Sequence, residues 1–149
     1  ELIPSSGMIS TNDLVEPFEA RNIHPRNKTT VGKRLCYLAL TRTYGVKGIV
    51  DQGPIYQSME IKDGKAIISF SNAPEGFSRM NGIEGFEVAG ADKVFYPAMA
   101  VVDWNKHIIV SSDQVPQPVA VRYAFKNFQP GNLHNHREQP VFPFRTDNW

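Results

Sequence analysis

The sequence predicts a mainly β protein, an antiparallel sandwich preceded by a single helix. Apolar residues recur with a helical period only within residues 25–44, whereas after Gly53 apolar and polar residues alternate with a period of two. Turn formers separate the alternating stretches without a second helical pattern, which is typical of antiparallel sandwiches. Of an expected six to eight strands, six are predicted at 55–61, 65–71, 85–90, 98–104, 107–112 and 119–125.

The helix is predicted over residues 25–44. Pro25 suits the first helical position, where a missing N–H costs nothing, and Gly45 suits the left-handed position just past a helix end. Because one helix cannot bury an apolar face alone, it must dock on the sandwich or on another part of the protein. Its apolar stripe is expected to comprise Val31, Leu35, Leu38 and Ala39.

Turn-forming residue pairs are expected to connect two pairs of strands. Asp63-Gly64 is a strong hairpin signal between the first two strands, and Asn105-Lys106 is a weaker one between the fourth and fifth. Residues 128–149 carry few strand signals and are expected to form an extended tail. Their aromatic residues need cover, so we expect the tail to pack on the helix or the sheet.

Composition excludes several classes of function. The net charge of +1 over 149 residues gives no reason to expect a nucleic-acid partner. No apolar run reaches the length of a membrane span, and no signal peptide is visible. Cys36 is the single cysteine, which rules out an internal disulfide and which we expect to be buried in the helix.

His24 lies just before the predicted helix. A loop held by a rigid element is a good place for a catalytic imidazole, and Pro25 restricts His24 to extended conformations. In a serine hydrolase such an imidazole takes the proton of the serine and later returns it to the leaving group. The alternative is an ordinary loop histidine.

Several sequence blocks carry a family resemblance. The stretch "GMISTNDLVEPFEARNIHPRNKTTVGKRLCYLALTRTYG" (7–45) resembles the end of the catalytic domain in sialate O-acetylesterases and related carbohydrate acetylesterases of the SGNH-hydrolase type. The blocks "GPIYQSMEI", "GFEVAGADKVFYPA", "GNLHN" and "PFRTDNW" resemble the C-terminal β-domain of that family, in the same order. The resemblance implies that residues 1–50 are the C-terminal end of an SGNH-type α/β catalytic domain, a loop plus its last helix. Residues 51–149 would then be an accessory β-sandwich domain with an extended tail.

The resemblance also implies an activity and a missing part. The activity would be removal of O-acetyl groups from sugars, with sialic acids as the favoured substrate, no cofactor, and His24 as the catalytic base. The family's serine lies in a "GQSN"-like motif, which does not occur in these 149 residues. We therefore expect an upstream catalytic segment of the same protein to supply the serine, and we expect this segment alone to be inactive. A secreted or periplasmic location rests on the resemblance only.

The acid that would support His24 stays open. Many enzymes of this type have an Asp two or three residues before the histidine, where this chain has Asn22 and Arg21. Asp13 is the favoured acid, because the loop between them could fold it back onto His24. Glu16 or Glu19, or a dyad without an acid in which Asn22 or a backbone carbonyl helps, are the alternatives.

Asn132 and His134 form a second polar cluster with Asn135 and His136. A His-x-His pair can bind metal, but the cluster offers few further ligands, so we predict no metal site. A polar structural loop is one alternative. Because the family has a similar "GNL.N" element, Asn132 and His134 are also candidates for lining the sugar pocket.

Aromatic and arginine side chains in the β region give two weaker candidates. The aromatic residues could form a platform for stacking sugars or belong to the core, and the arginines could bind a sugar carboxylate or form structural ion pairs. The aromatic residues are Trp104, Tyr123, Phe125 and Phe128, and the arginines are Arg122 and Arg145.

Overall fold

The computed structural model describes residues 3–22, 24 and 26–149. Its framework is two four-stranded antiparallel sheets, with strand orders β1-β2-β6-β5 and β4-β3-β7-β8. The prediction of a mainly β chain with one helix is confirmed. In chain order the elements are a 3-10 helix (Pro17–Glu19), α1 (Lys28–Arg42), β1 (Ile55–Lys62), β2 (Lys65–Ser71), β3 (Phe86–Ala89), β4 (Phe95–Pro97), β5 (Met99–Val102), β6 (Ile108–Ser111), β7 (Ala120–Tyr123) and β8 (Phe144–Arg145).

All six predicted strands are present, as β1, β2, β3, β5, β6 and β7. The Asp63-Gly64 hairpin is confirmed, because both residues have positive φ, +50° and +71°, as a tight two-residue turn requires. The sequence did not specify β4 and β8. Each has only two or three residues, too few to show a periodic pattern, and β4 ends at a proline.

The core lies between the two sheets. Ile68 and Ile108 from the first sheet and Val88 and Val121 from the second are inaccessible to solvent and belong to one apolar cluster. Phe144 of β8 joins this cluster, and its ring centroid lies 5.0 Å from that of Tyr56 and 6.1 Å from that of Tyr123. The tail therefore packs on the sheets as expected, and it also contributes a strand to the core.

Helix α1 is shorter than predicted. It begins at Lys28, where the Asn27 side chain accepts a hydrogen bond from the Thr30 N–H at 3.1 Å and caps the helix. Pro25, the predicted first helical residue, lies outside the described residues. At the other end Gly45 has a φ of +68°, the left-handed conformation that its type predicted.

The predicted apolar face of α1 is only partly buried. Leu38 is buried, but Leu35 and Ala39 are exposed, and Arg34 takes a buried position beside Leu38. The helix turns this face inward because the Arg34 guanidinium bonds to Asp13 and to the Ser10 carbonyl. The prediction of a buried Cys36 is wrong. At 100° per residue, Cys36 lies about 200° from Arg34 and faces outward.

Candidate active site

His24 lies in an exposed loop between the 3-10 helix and α1, four residues before α1 begins. Its backbone N–H donates to Asn22 Oδ1 at 2.9 Å, so Asn22 holds the backbone at His24. Within the described residues, the imidazole has no hydrogen-bond partner. The ring is therefore open to an incoming group.

Glu19 closes the loop that carries His24. One carboxylate oxygen accepts the Glu16 N–H at 2.9 Å and the other accepts the Arg26 N–H at 2.8 Å. The hydrogen bond from the Glu16 N–H lowers the pKa of Glu19 most, and the one from the Arg26 N–H lowers it further. Together they hold this pKa below its ordinary value, although burial would raise it. Glu19 thus joins the chain before His24 to the chain after it.

Asp13, the favoured acid, lies in a buried ion cluster. Its carboxylate forms a bidentate pair with Arg34, at 2.7 Å from Oδ1 to Nη1 and 2.5 Å from Oδ2 to Nη2. Oδ2 also lies 3.0 Å from Nε2 of His134. Burial alone would raise the pKa of Asp13, but the hydrogen bonds and charges of Arg34 and His134 outweigh it, so the pKa is lowered. Both carboxylate oxygens of Asp13 therefore bond to residues inside the fold, and neither bonds to His24.

His134 and Asn132 are both held by the fold. Nδ1 of His134 lies 3.2 Å from the Asn132 carbonyl, so both ring nitrogens of His134 have partners. The Asn132 side chain accepts the Glu84 N–H at 2.9 Å and donates to the Gly82 carbonyl at 3.0 Å. These contacts give the two side chains structural roles, and their part in a sugar pocket stays a prediction.

The "GNLHN" block brings the loop segment and the sandwich together. The Gly131 N–H donates to the Asn12 carbonyl at 3.3 Å, and a Cβ at Gly131 would collide with the Tyr123 hydroxyl. That hydroxyl accepts the Leu133 N–H at 3.1 Å, and burial raises the pKa of Tyr123 to about 12. The sandwich thus braces the segment that leads to His24.

A cleft of about 920 Å³ opens beside the His24 loop. It lies between the segment 8–22 and the loop 124–129 that follows β7, and we call it the loop cleft. Arg21 and Asn22 line one wall, while Phe125 and Phe128 line the other. The loop cleft therefore joins the predicted catalytic end of the chain to the β-sandwich.

Both arginines that were candidates for binding a sugar carboxylate pair with Asp147 of the tail. Arg122 forms a bidentate contact at 2.9 and 2.8 Å, and Arg145 lies 3.8 Å away. The Arg122 guanidinium also lies 3.9 Å from the centroid of the Phe95 ring. The structural interpretation of these arginines is confirmed.

The predicted aromatic group is divided by the fold. Tyr123 is in the core, Phe125 and Phe128 line the loop cleft, and Trp104 is 97% exposed at the turn between β5 and β6. The four residues therefore do not form one platform.

Two classes of site can be assessed over the described residues alone. Within them, no cluster of three or more His, Cys, Asp or Glu side chains could hold a metal ion. No helix in that part of the chain has the length and apolar character needed to cross a membrane.

An antiparallel β-sandwich preceded by a histidine-bearing loop and a helix defines the structural class of the chain. The chain resembles the crystal structure of XAC1771, described as a novel carbohydrate acetylesterase from Xanthomonas citri, with 37% sequence identity and a TM-score of 0.80. The match covers 92% of this chain and 31% of that protein, so this chain spans less than a third of its structural neighbour. No family model matches the chain, and neither does any curated protein. The link to carbohydrate acetylesterases is thus confirmed by a structural neighbour, while the sialate and SGNH assignments stay predictions.

Sequence reasoning did not identify the burial of Arg34, the loop-closing contacts of Glu19 or the cleft wall formed by the loop 124–129. Arg34 lies outside the apolar stripe that the helical pattern marked for burial, and Glu19 was considered only as a rival for the catalytic acid. Asp13 lies 21 residues before Arg34 and 121 before His134, a separation at which no local pattern reveals contact. The loop 124–129 gave one signal, its aromatic residues, but aromatic residues of a small sandwich more often belong to the core.

Proposed function

We propose that this chain is the C-terminal part of a serine carbohydrate esterase that removes O-acetyl groups from sugars. Residues 1–50 complete its catalytic domain, and residues 51–149 form its β-sandwich domain. The observation that carries the proposal is the exposed imidazole of His24, held in a closed loop beside a large cleft. The similarity to a carbohydrate acetylesterase supports the reaction class.

His24 acts as general base and then as general acid. It takes the proton of a serine hydroxyl while the serine oxygen attacks the acetyl carbonyl, and it returns that proton to the departing sugar oxygen. In the second half, His24 takes a proton from water as the water oxygen attacks the acetyl-serine. Acetate leaves, and the proton returns to the serine oxygen.

The serine comes from an upstream catalytic segment of the same protein. Two exposed apolar side chains of α1 support such a partner, because Leu35 and Tyr37, which flank the buried side of the helix, are 50% and 38% exposed. Exposed apolar side chains of this kind are favourable when another element packs against them. Without the serine, this segment alone does not hydrolyse esters.

Asn22 is the residue that steadies His24, through its hydrogen bond to the backbone. Asp13 serves the fold instead, because Arg34 and His134 already engage both of its carboxylate oxygens. The catalytic pair is therefore a serine–histidine dyad, unless an upstream segment supplies an acid.

O-acetylated sialic acid is the favoured substrate, and acetylated xylan is the alternative. The cationic side chain of Arg21 at the loop cleft favours an acidic sugar as substrate. Arg21 has no ion pair or hydrogen bond within the described part of the chain, so its guanidinium can bind a ligand. A guanidinium binds a carboxylate well because two N–H groups match its two oxygens. An enzyme acting on such glycans would work outside the cell or in the periplasm.

The test is acetate release by the protein expressed from its complete reading frame, as the parent and as His24→Ala. O-acetylated N-acetylneuraminic acid and acetylated xylan are supplied separately, and the ratio of the two rates assigns the sugar. We expect the variant to lose about a thousandfold in kcat, because no other group moves the proton. His136→Ala, which changes an exposed histidine of the sandwich, should keep the parent rate.

A parent that releases no acetate from either substrate would contradict the proposal, and so would a folded His24→Ala variant with full activity. The second candidate function is a non-catalytic glycan-binding module. The aromatic wall of the loop cleft favours it, and glycan binding without acetate release would establish it.

A further inference from the structure

The loop cleft is larger than one acetylated sugar requires. Its volume of about 920 Å³ lies near the upper end of the roughly 300–1,000 Å³ that small-molecule sites span. Arg21 and Asn22 at one side adjoin His24, whereas Phe128 and Gln129 at the other side belong to the loop after β7. The cleft therefore extends away from the proposed reacting group and along the sandwich.

The wall formed by the loop after β7 has the chemistry that sugar rings need. A pyranose ring offers an apolar face of C–H groups with hydroxyls around its rim, so it fits an aromatic ring flanked by amides. Phe128 is half-buried, and its ring makes no aromatic or cation contact within the described residues. Phe125 is 44% exposed, and the Asn127 side chain beside it is exposed too.

The same loop is held in place before any ligand arrives. The Ala124 N–H donates to the Gly85 carbonyl at 2.8 Å, and Ala124 itself has a positive φ of +46°. Lys126 pairs with Glu87 of β3 at 2.6 Å. A wall that is already ordered loses less entropy when a ligand binds.

We propose that the loop cleft binds further sugar rings of the glycan that carries the acetyl group. The β-sandwich then helps to choose the substrate by favouring an oligosaccharide over a single acetylated sugar. This inference rests on the proposed esterase function, which places the reacting sugar at His24.

The test compares substrates of different length with the full-length protein. The pairs are acetylated xylotriose with acetylated xylose, and O-acetylated sialyllactose with O-acetylated N-acetylneuraminic acid. The minimal ester p-nitrophenyl acetate reports the chemistry without a glycan. We expect the parent to have a kcat/KM about tenfold or more higher on the longer member of one pair, and that pair identifies the sugar as neutral or acidic.

Phe128→Ala should remove most of this preference. The loss of one stacking surface is expected to raise KM for the longer substrate by roughly tenfold, with kcat and the rate on p-nitrophenyl acetate unchanged. Trp104→Ala is the matched control, because Trp104 is the most exposed aromatic side chain of the sandwich and lies outside the loop cleft. It should keep the full preference.

A second variant covers the case in which Phe128→Ala does not fold. Asn127→Trp changes an exposed side chain and should fill the cleft, which again removes the advantage of the longer substrate. Calorimetry of xylotriose and sialyllactose binding to His24→Ala reads the same site without turnover. There Asn127→Trp should weaken binding about tenfold.

Three results would overturn the inference. The first is an equal kcat/KM of the parent on both members of each substrate pair. The second is a preference for the longer substrate that is lost in Trp104→Ala instead of Phe128→Ala. The third is a Phe128→Ala variant whose kcat falls on every ester and whose Tm is lower. The last result would mean that the upstream segment packs into the cleft. Absence of acetate release from every ester, with oligosaccharide binding kept, would defeat the proposed activity while leaving this site in place.

Discussion

Asp13 shows how one carboxylate joins three parts of the chain. Its side chain, 6% exposed, contacts Arg34 of α1 and His134 of the loop before β8. Arg34 also donates to the Ser10 carbonyl at 2.8 Å, so the segment 8–22 is tied to both the helix and the sandwich. A buried pair of this kind often contributes little net stability, but removing one partner leaves the other charge unpaired and is costly.

Asp13→Asn should therefore destabilise the fold. Because Arg34 would stay buried without its carboxylate, we expect the free energy of unfolding to fall by about 3–5 kcal/mol, measured by urea denaturation. Glu75→Gln is the control, since its pair with Arg137 is exposed and should contribute no more than about 1 kcal/mol. The folded fraction of Asp13→Asn should keep the parent kcat. A drop of about ten-thousandfold in kcat with unchanged stability would instead make Asp13 the catalytic acid.

The sequence anticipated residue types better than residue partners. It predicted that His24 precedes a helix, and the structure places it there, exposed. It could not predict that Arg34 would be buried, because the helical pattern marked Leu35 for the core and the choice between neighbouring faces depends on Asp13. A contact between residues far apart in the chain is decided by the assembled fold.

At the scale of elements, the loop between the 3-10 helix and α1 is closed by Glu19. Its two carboxylate oxygens bind backbone N–H groups on either side of His24, at Glu16 and Arg26. Such a closure fixes the path of the chain while leaving the imidazole exposed. Glu19 thus holds the backbone on both sides of His24, and we predict that it positions His24 in this way.

Glu19→Gln should impair the rate more than the affinity. The amide retains one acceptor oxygen, so one of the two N–H contacts is lost and the loop gains freedom. Misplacement of a catalytic group by about 1 Å costs up to about a hundredfold, so we expect kcat to fall by roughly tenfold to a hundredfold with little change in KM. Glu60→Gln on β1 is a matched exposed control. An unchanged kcat, or a rise in KM alone, would show that Glu19 does not position His24.

Among the elements, the sequence could specify those set by local residue types but not those set by contacts between distant segments. The hairpin at Asp63-Gly64 was predictable because the turn itself demands those residue types. β8 was not, since Phe144 becomes a strand residue only by pairing with Tyr123 across the finished sheet. The loop cleft likewise exists only after the segment 8–22 and the loop 124–129 are brought together.

At the scale of the whole molecule, two buried carboxylates fasten the ends of the chain to the sandwich. Asp13 anchors the segment before His24, and Asp147 anchors the tail through Arg122 of β7. Hydrogen bonds from Arg122 lower the pKa of Asp147, and those from Arg34 and His134 outweigh burial to lower the pKa of Asp13. Both ends of the chain therefore depend on ionised carboxylates.

Stability should consequently fall in acid. A carboxyl whose folded pKa is depressed binds fewer protons in the folded than in the unfolded state, so its contribution is complete above the unfolded pKa of 3.8. It is lost as the pH drops below that value through the folded pKa. We expect Tm to be nearly constant down to about pH 5 and to decline steeply below about pH 4, as measured by thermal unfolding across this range. Asp147→Asn should lower Tm at neutral pH and show a shallower decline in acid than the parent, because the proton uptake linked to Asp147 is gone. A parent and variant with parallel Tm profiles would mean that Asp147 titrates in the fold as it does in the unfolded chain.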